Sequence, residues 1–396
     1  MWWPDLFGPP NFSRVGMRFR SGTITVSLAA VFAVLWLMWP STINPVYWDE
    51  PEAPAMTGPL APNTALGSAQ FYDLGTGGTA HSVTLGENGE IYSGNASGKI
   101  IRIESPGMTP TVIAELDDLP ISGLAWIGSS TLGATTSDGL FAVNVISGDA
   151  TRVSVGVPGY PFGFANDLAI TRQGEIYFTD SSVLHDEGTP DGDHVLDMLE
   201  NRPHGALYVW DPRTHQTRLA ADRLYYPNGI ALASDGLSIY VSETFRYRIL
   251  RHWIDGPRRG ETEVFAGNLP GLPDGLATDN SGHLFVALPA GRSSALRTIR
   301  TRPWLARIVS RLPAWARPDG GSARPFIAVL DEQNAEIIAS FHDPENRLCH
   351  VSNMVLTEDQ DLWFGSSDCS YIAWLPQAAV QAGLQAPGTT GFVAGD

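Results

Sequence analysis

The feature that most limits what this chain can fold into is a repeat. Residues 225–289 read as four short strands followed by the opening of the same pattern. In them IALA, LSIYVSE, RILRHWI and ETEVFAG are apolar or alternating runs separated by the turns SDG and DGPRRG. Such punctuation around β-branched and aromatic runs is hairpin chemistry. The segment PDGLATDNSGHLFVA then restates PNGIALASDGLSIYVS nearly position for position, with Asn228 and Asp274 each set between a proline and a glycine. A four-strand unit recurring every ~45 residues is the pattern of a β-propeller blade.

Second-strand signatures recur near Tyr92, Leu132, Tyr177, Tyr240, Phe285 and Trp363, and a third strand follows each: KIIRI, GLFAVN, GALYVWD, RILRHWI, FIAVLDE and YIAWLP. Six of each predict an all-β, six-bladed β-propeller over residues 69–380, with insertions at 183–204 and 290–325 and a C-terminal tail at 381–396. A β-sandwich with chance spacing is the alternative. Composition agrees with many tight turns, since 41 glycines and 29 prolines accompany only 17% charged residues. A formal net charge of −17 argues against a sequence-independent nucleic-acid binder. No GxSxG elbow, P-loop or HExxH motif occurs, which leaves serine-hydrolase, nucleotide and zincin readings without support.

Residues 21–48 carry no charge, and their centre, TITVSLAAVFAVLWLMWP, is long and apolar enough to cross a bilayer as a helix. Arg14, Arg18 and Arg20 precede it, whereas Asp49, Glu50 and Glu52 follow. The positive-inside rule then places residues 1–20 in the cytoplasm and the rest outside it. A cleaved signal peptide competes with this signal-anchor, but the run lacks a small-x-small exit. Residues 49–68, rich in Pro, Ala and acids, read as an extended linker.

GFANDLAITRQGEIYFTDSS, YYPNGIAL, ETFRYRILRHWIDGP and NLPGLPDGLA resemble the strictosidine synthase-like branch of the six-bladed propellers. A membrane anchor joined to such a propeller resembles the adipocyte plasma membrane-associated protein family. The resemblance covers nearly everything after residue 69. It implies membership of the wider superfamily of gluconolactonases, paraoxonases and diisopropyl fluorophosphatase, in which one scaffold hosts several chemistries.

Asn166 in FANDLAI, Asn228 in YPNGIAL and Asp274 in LPDGLAT recur at the start of the innermost strands of three blades, around the central channel. Oxygen donors from separate blades suit a hard divalent cation, and Ca²⁺ accepts irregular oxygen cages better than Mg²⁺. Asx-turns at strand entries would use the same residues. The resemblance implies that these positions are metal ligands, joined by a glutamate just before the first blade's inner strand. Here His81 stands at that place, in GGTAHSVTL. An imidazole leaves Asp274 as the one assured anion, weakens calcium binding and opens the site to transition metals. His81 also has the readings of a general base and of a strand histidine without a site role.

Asn353 in VSNMVLTEDQ is expected to open the sixth blade in the same phase and to line the channel. The resemblance puts the catalytic glutamate of strictosidine synthase at about this place, so condensation of that kind lacks its acid here. His350 reads either as a proton shuttle at the mouth or as a loop histidine. Asp167 and Asp180 lie beside the Asn166 motif, the latter as a strand end, and Glu243 and Arg248 are expected to pair across strands. Cys349 and Cys369 flank the second strand of blade six, so a disulfide and two separate buried thiols are both open.

The leading expectation is metal-dependent hydrolysis of a lactone or aryl ester, in which the cation polarises the carbonyl and Asp274 or His81 activates water. A non-catalytic ligand- or protein-binding propeller and the condensation are the alternatives. Insertion 290–325 holds eight arginines and one acid. Trp304, Leu305, Ile308, Val309 and Leu312 recur at helical spacing, with Arg307 and Arg311 on another face. This predicts a basic amphipathic helix that touches a membrane surface, or one whose apolar stripe packs onto the propeller with its arginines facing the acidic surface, and the resemblance implies that it caps the channel as a lid.

Overall fold

The computed structural model describes Trp36 and residues 40–385, apart from 76–77, 106, 118–119, 186–192, 319–320, 322–323, 344 and 346. The expected span at 21–48 thus falls largely outside the described residues. Among the described residues no helix is long and apolar enough to cross a membrane, and residues 40–48 carry no helix. The chain divides into two compact units, Met1–Thr42 and Ile43–Asp396, and the second holds the propeller.

Six four-stranded antiparallel sheets form the blades. Their innermost strands are Ser82–Leu85, Gly123–Gly128, Ala165–Ile170, Pro227–Leu232, Leu276–Thr278 and Val351–Leu356. Each touches the next, and the last touches the first, so the ring is closed. Every second and third strand expected from the sequence is present. Blade six takes three strands from the C-terminal part and its outermost from Gln70–Asp73, which pairs antiparallel with Tyr371–Leu375. This N-terminal closing strand was not legible as such, because QFYD is too short to carry a pattern.

Burial explains the runs that betrayed the repeat. Ile176–Asp180 and Ser238–Glu243 are buried along their whole length, since blades pack against both faces of a second strand and alternation disappears. Outer strands such as Thr262–Ala266 are largely exposed or half-buried instead.

The inner strands approach to backbone contact. A Cβ on Gly229 would collide with the Asp274 carbonyl oxygen. One on Gly275 would lie 2.6 Å from Ser352 O, and one on Gly123 would lie 2.9 Å from Asn166 O. Glycine is required there by proximity to the neighbouring blade.

Residues 43–68 differ from a free linker, because they run along the propeller. Ile43, Leu60 and Leu66 are buried. Asn63 donates to Ser340 O (2.7 Å) and accepts from the His342 amide (3.1 Å). The Pro-rich composition makes the segment extended, while its few aliphatic side chains give it surface to bury.

The insertions carry helices α1 (His194–Glu200), α2 (Ser294–Arg300) and α3 (Pro303–Val309). The single amphipathic helix expected in 290–325 is therefore two short ones. Pro303 cannot continue α2 but suits the first turn of α3. Leu296, Ile299, Ala306 and Val309 face the core, whereas Trp304 is 61% exposed. Arg300, one of the eight arginines of the insertion, is fully buried. It contacts Glu50 (3.4 Å) and Tyr247 Oη (3.1 Å), with its guanidinium over the Trp48 and Tyr247 rings. A final helix, α4 (Gln377–Leu384), extends past the expected end of the propeller and buries Val380 against blades five and six.

The close approach generates a test. Gly229→Ala should destabilise the protein by roughly 1–3 kcal/mol through overpacking, read as a lower urea midpoint. An unchanged midpoint would mean that blades four and five do not meet at this residue.

Candidate active site at the channel mouth

The inner strands are irregular where they meet the channel mouth. The ladder jumps from Ala165↔Asp180 to Leu168↔Phe178 in blade three, and from Pro227↔Glu243 to Ile230↔Val241 in blade four. In blade six it jumps from Val351↔Ser366 to Asn353↔Gly365. In blade five the Asp274 amide donates to Ala287 O (3.0 Å) and the Ala287 amide donates to Gly275 O (2.9 Å), so two residues face one. Bulges of this kind re-aim side chains beside functional sites.

The register aligns His81, Ser122, Asn166, Asn228, Asp274 and Ser352 as one step of the six blades. The four residues singled out for metal binding thus share that step. The next step holds Ser82, Gly123, Asp167, Gly229, Gly275 and Asn353. Asn353 is therefore one residue out of the expected phase, because Ser352 occupies the place equivalent to Asn228. The Ser352 hydroxyl donates to His81 O (2.8 Å), joining blades six and one.

Asn353 does reach inward. Its Nδ2 donates to Asp167 Oδ1 (3.3 Å) and its Oδ1 accepts from the Val83 amide (3.2 Å). Asp167 also accepts from the amides of Leu168 (2.9 Å) and Ile230 (3.2 Å). One carboxylate thereby links blade three to blades four and six. The sequence carries one signal for Asp167, an acid at the step where two other Asx-type blades have glycine. Asn166 donates from Nδ2 to Ser181 Oγ (2.9 Å), which orients its amide, and Asn228 is buried.

Burial, followed by the nearby Asp167 charge, pushes the Asp274 carboxyl well above the usual carboxylate range, and the Gly275 amide pulls it partly back. Burial raises Asp167 to about 7, against hydrogen bonds from Leu168, Ile230 and Asn353. The buried Asp167 and the half-buried Asp274, with the carboxamides of Asn166 and Asn228 on the same or the adjoining step, are oxygen donors of the kind a hard divalent cation takes, and its charge would favour both ionised forms.

The remaining candidates sit elsewhere. His350 is an exposed loop histidine 3.8 Å from Asp368. Cys349 and Cys369 are joined in a disulfide with Cα atoms 6.1 Å apart. The bond ties the entry of blade six to the loop after its second strand. Asp180 accepts from the amides of Gly163 (3.1 Å) and Phe164 (2.6 Å), fixing the entry of blade three. Glu243 pairs with Arg248 across strands, as the pattern implied, and accepts from the Tyr225 amide (2.7 Å).

The raised Asp167 carboxyl has a sign that can be tested. The unfolded chain releases this proton near pH 4 and the folded, metal-free chain near pH 7. Between those values the folded state binds more protons, so this group subtracts stability as pH rises through the window. In chelator, Asp167→Asn should gain thermal stability relative to the wild type from about pH 4 to about pH 7. Saturating Ca²⁺ should shrink the gain. A difference flat across pH would overturn the assignment.

Residues 84–303, more than half of the chain, match the SMP-30/Gluconolactonase/LRE-like region, and residues 58–103 match the N-terminal strictosidine synthase-like model. Among curated relatives, the adipocyte plasma membrane-associated protein of Salmo salar is 29% identical over 95% of this chain and 94% of its own length. A gluconolactonase of Xanthomonas campestris shares the fold, with a TM-score of 0.57 and 19% identity over 86% of this chain and 99% of that one. So does regucalcin of Agrobacterium tumefaciens, described as a calcium-binding protein, with a TM-score of 0.54 and 18% identity over 80% of this chain and 91% of that one. The chain belongs to the SMP-30/gluconolactonase/LRE-like family of β-propellers, with a strictosidine synthase-like N-terminal portion.

Proposed function

We propose that the channel mouth is the site of a divalent-cation-dependent hydrolase acting on lactones or aryl esters. The observation that carries this reading is the shared step of His81, Asn166, Asn228 and Asp274, backed by the buried Asp167. Gluconolactonases in the family and the calcium-binding regucalcin support the reaction class and Ca²⁺. A transition metal is the alternative that His81 favours.

When bound, the cation supplies a Lewis acid for a substrate carbonyl. Asn166 and Asn228 would hold it through neutral oxygens, and Asp274 would provide the anionic donor and the acceptor for a proton from water. His81 offers a second acceptor on the same step. Asn353 and the Ile230 amide fix Asp167, whose charge raises the basicity of Asp274. Asn353 is not an acid, so the condensation lacks the glutamate that the resemblance implies at that place. Histidine in place of an anionic ligand favours the second reading, a propeller that binds without turnover.

The full chain in detergent, stripped with EDTA and assayed on lactones and aryl esters, should regain hydrolysis with Ca²⁺. Asp274→Ala should lower the rate at least about 100-fold, and His81→Glu should tighten Ca²⁺. Hydrolysis indifferent to both chelator and Asp274→Ala sinks the mechanism. Calcium binding with no turnover selects the binding propeller.

The named plasma membrane association of relatives and the charge-free run at 21–48 support a membrane-anchored protein with its propeller on the extracytoplasmic side. The Cys349–Cys369 disulfide suits such a compartment. Trp304 and Trp315, 61% and 88% exposed in the arginine-rich insertion, suit a second membrane contact. Residues 43–396 should co-sediment with anionic vesicles at low salt and lose this when both tryptophans become serine. Absent or unaltered sedimentation would remove the second contact.

A further inference from the structure

We infer that the insertion at 183–204 is closed by a second, separate metal site, in which His185, Glu200 and His204 hold a Zn²⁺-class ion. His185 follows the second strand of blade three, Glu200 ends α1, and His204 immediately precedes the third strand, Gly205–Asp211. The two ends of the insertion and the end of its helix therefore meet at one point.

The side chains converge there. His185 Nε2 lies 2.6 Å and His204 Nε2 lies 3.2 Å from the same oxygen, Glu200 Oε2. The ligand atoms all lie within 4.8 Å of one another, and the rings stand 5.8 Å apart at 78°. Glu200 is buried and both imidazoles are largely shielded. The second carboxylate oxygen accepts from the Asn44 amide (2.8 Å), which leaves Oε2 directed at the histidines.

The surroundings match the support that metal ligands require. Asp197, one turn earlier on α1, is 1% exposed, and the charged groups acting on it are His204, His185 and Glu200. It accepts a hydrogen bond from Ser182 Oγ (2.6 Å). Two buried carboxylates thus face two imidazoles that are neutral when they ligate, a charge balance that a divalent cation completes. Two imidazole nitrogens and one carboxylate oxygen are a borderline donor set, which selects Zn²⁺ over Ca²⁺ and leaves a fourth position for water. Zinc takes the Nε2 lone pairs, so each ring carries its proton on Nδ1.

The site is distinct from the channel mouth but adjoins it. Ser182 bonds Asp197, while its neighbour Ser181 bonds the Asn166 amide and donates to Pro227 O (2.9 Å). Glu200 O also accepts from the Val46 amide (3.1 Å), so the same ion fastens the N-terminal segment 43–68, a strap along the propeller, to the insertion. Its role is a clamp on the rim of the channel, independent of whether the channel hydrolyses anything.

The test uses the full chain in detergent, stripped with EDTA and then held in excess Ca²⁺. Titration with Zn²⁺ alone against a fluorescent chelator should show one tightly bound equivalent. Co²⁺ in its place should give the visible absorption of a tetrahedral site. His204→Gln, which keeps a hydrogen-bond donor for Glu200, and Glu200→Gln should each weaken Zn²⁺ at least about 100-fold, while Asp274→Asn should bind it as the wild type does. A wild type that takes up no Zn²⁺, or a His204→Gln variant that binds it equally, overturns the proposal. Should the variants not fold, the wild type decides: no tetrahedral Co²⁺ spectrum and no rise in Tm with Zn²⁺ overturn it equally.

Discussion

The structure depends on how closely six inner strands can be brought together around one axis. Neighbouring strands come to backbone contact at three places in the ring. Gly123, Gly229 and Gly275 permit that contact, because a Cβ at any of them would press into the next blade. The ring is closed in sequence by Gln70–Asp73, which supplies the missing outer strand of blade six. The N-terminal strand thus joins the C-terminal blade and ties the two ends of the propeller together.

The same geometry creates the site. A polar residue directly before a glycine sits where the inner strand bulges, so Asn228 and Asp274 stand at the irregularity where the blades meet. Carboxylates placed there leave water, and their ionised forms become unfavourable. Asp167 and Asp274 are both raised for this reason. Such a pair is poorly suited to an empty channel and well suited to one holding a cation.

Around the mouth, the insertions and the strap at 43–68 hold one another. Arg300 enters the core because Glu50, Tyr247 and Trp48 surround it with a charge partner and two ring faces. On the other side α1 presents Glu200 to two histidines and to the strap's own amides at Asn44 and Val46. Segments that look like decoration in the sequence therefore define the rim.

The repeat, the blade number and the recurrence of Asn166, Asn228 and Asp274 were legible in the sequence, because short apolar strands and turn residues leave a local period. Those signals depend on neighbours within a few residues. The role of Asp167 is not local, because its partners Ile230 and Asn353 come from other blades. Asn353 was placed one residue out of phase because a bulge shifts register without changing composition. Arg300 and His185 gave no signal, since a buried charge or a convergent imidazole is defined by what packs on it. The sequence by itself determined which segments become strands and how many blades they make. Only the tertiary structure decided which polar side chains share a step, a carboxylate or a buried pocket, since those distances are set by the closing of the ring.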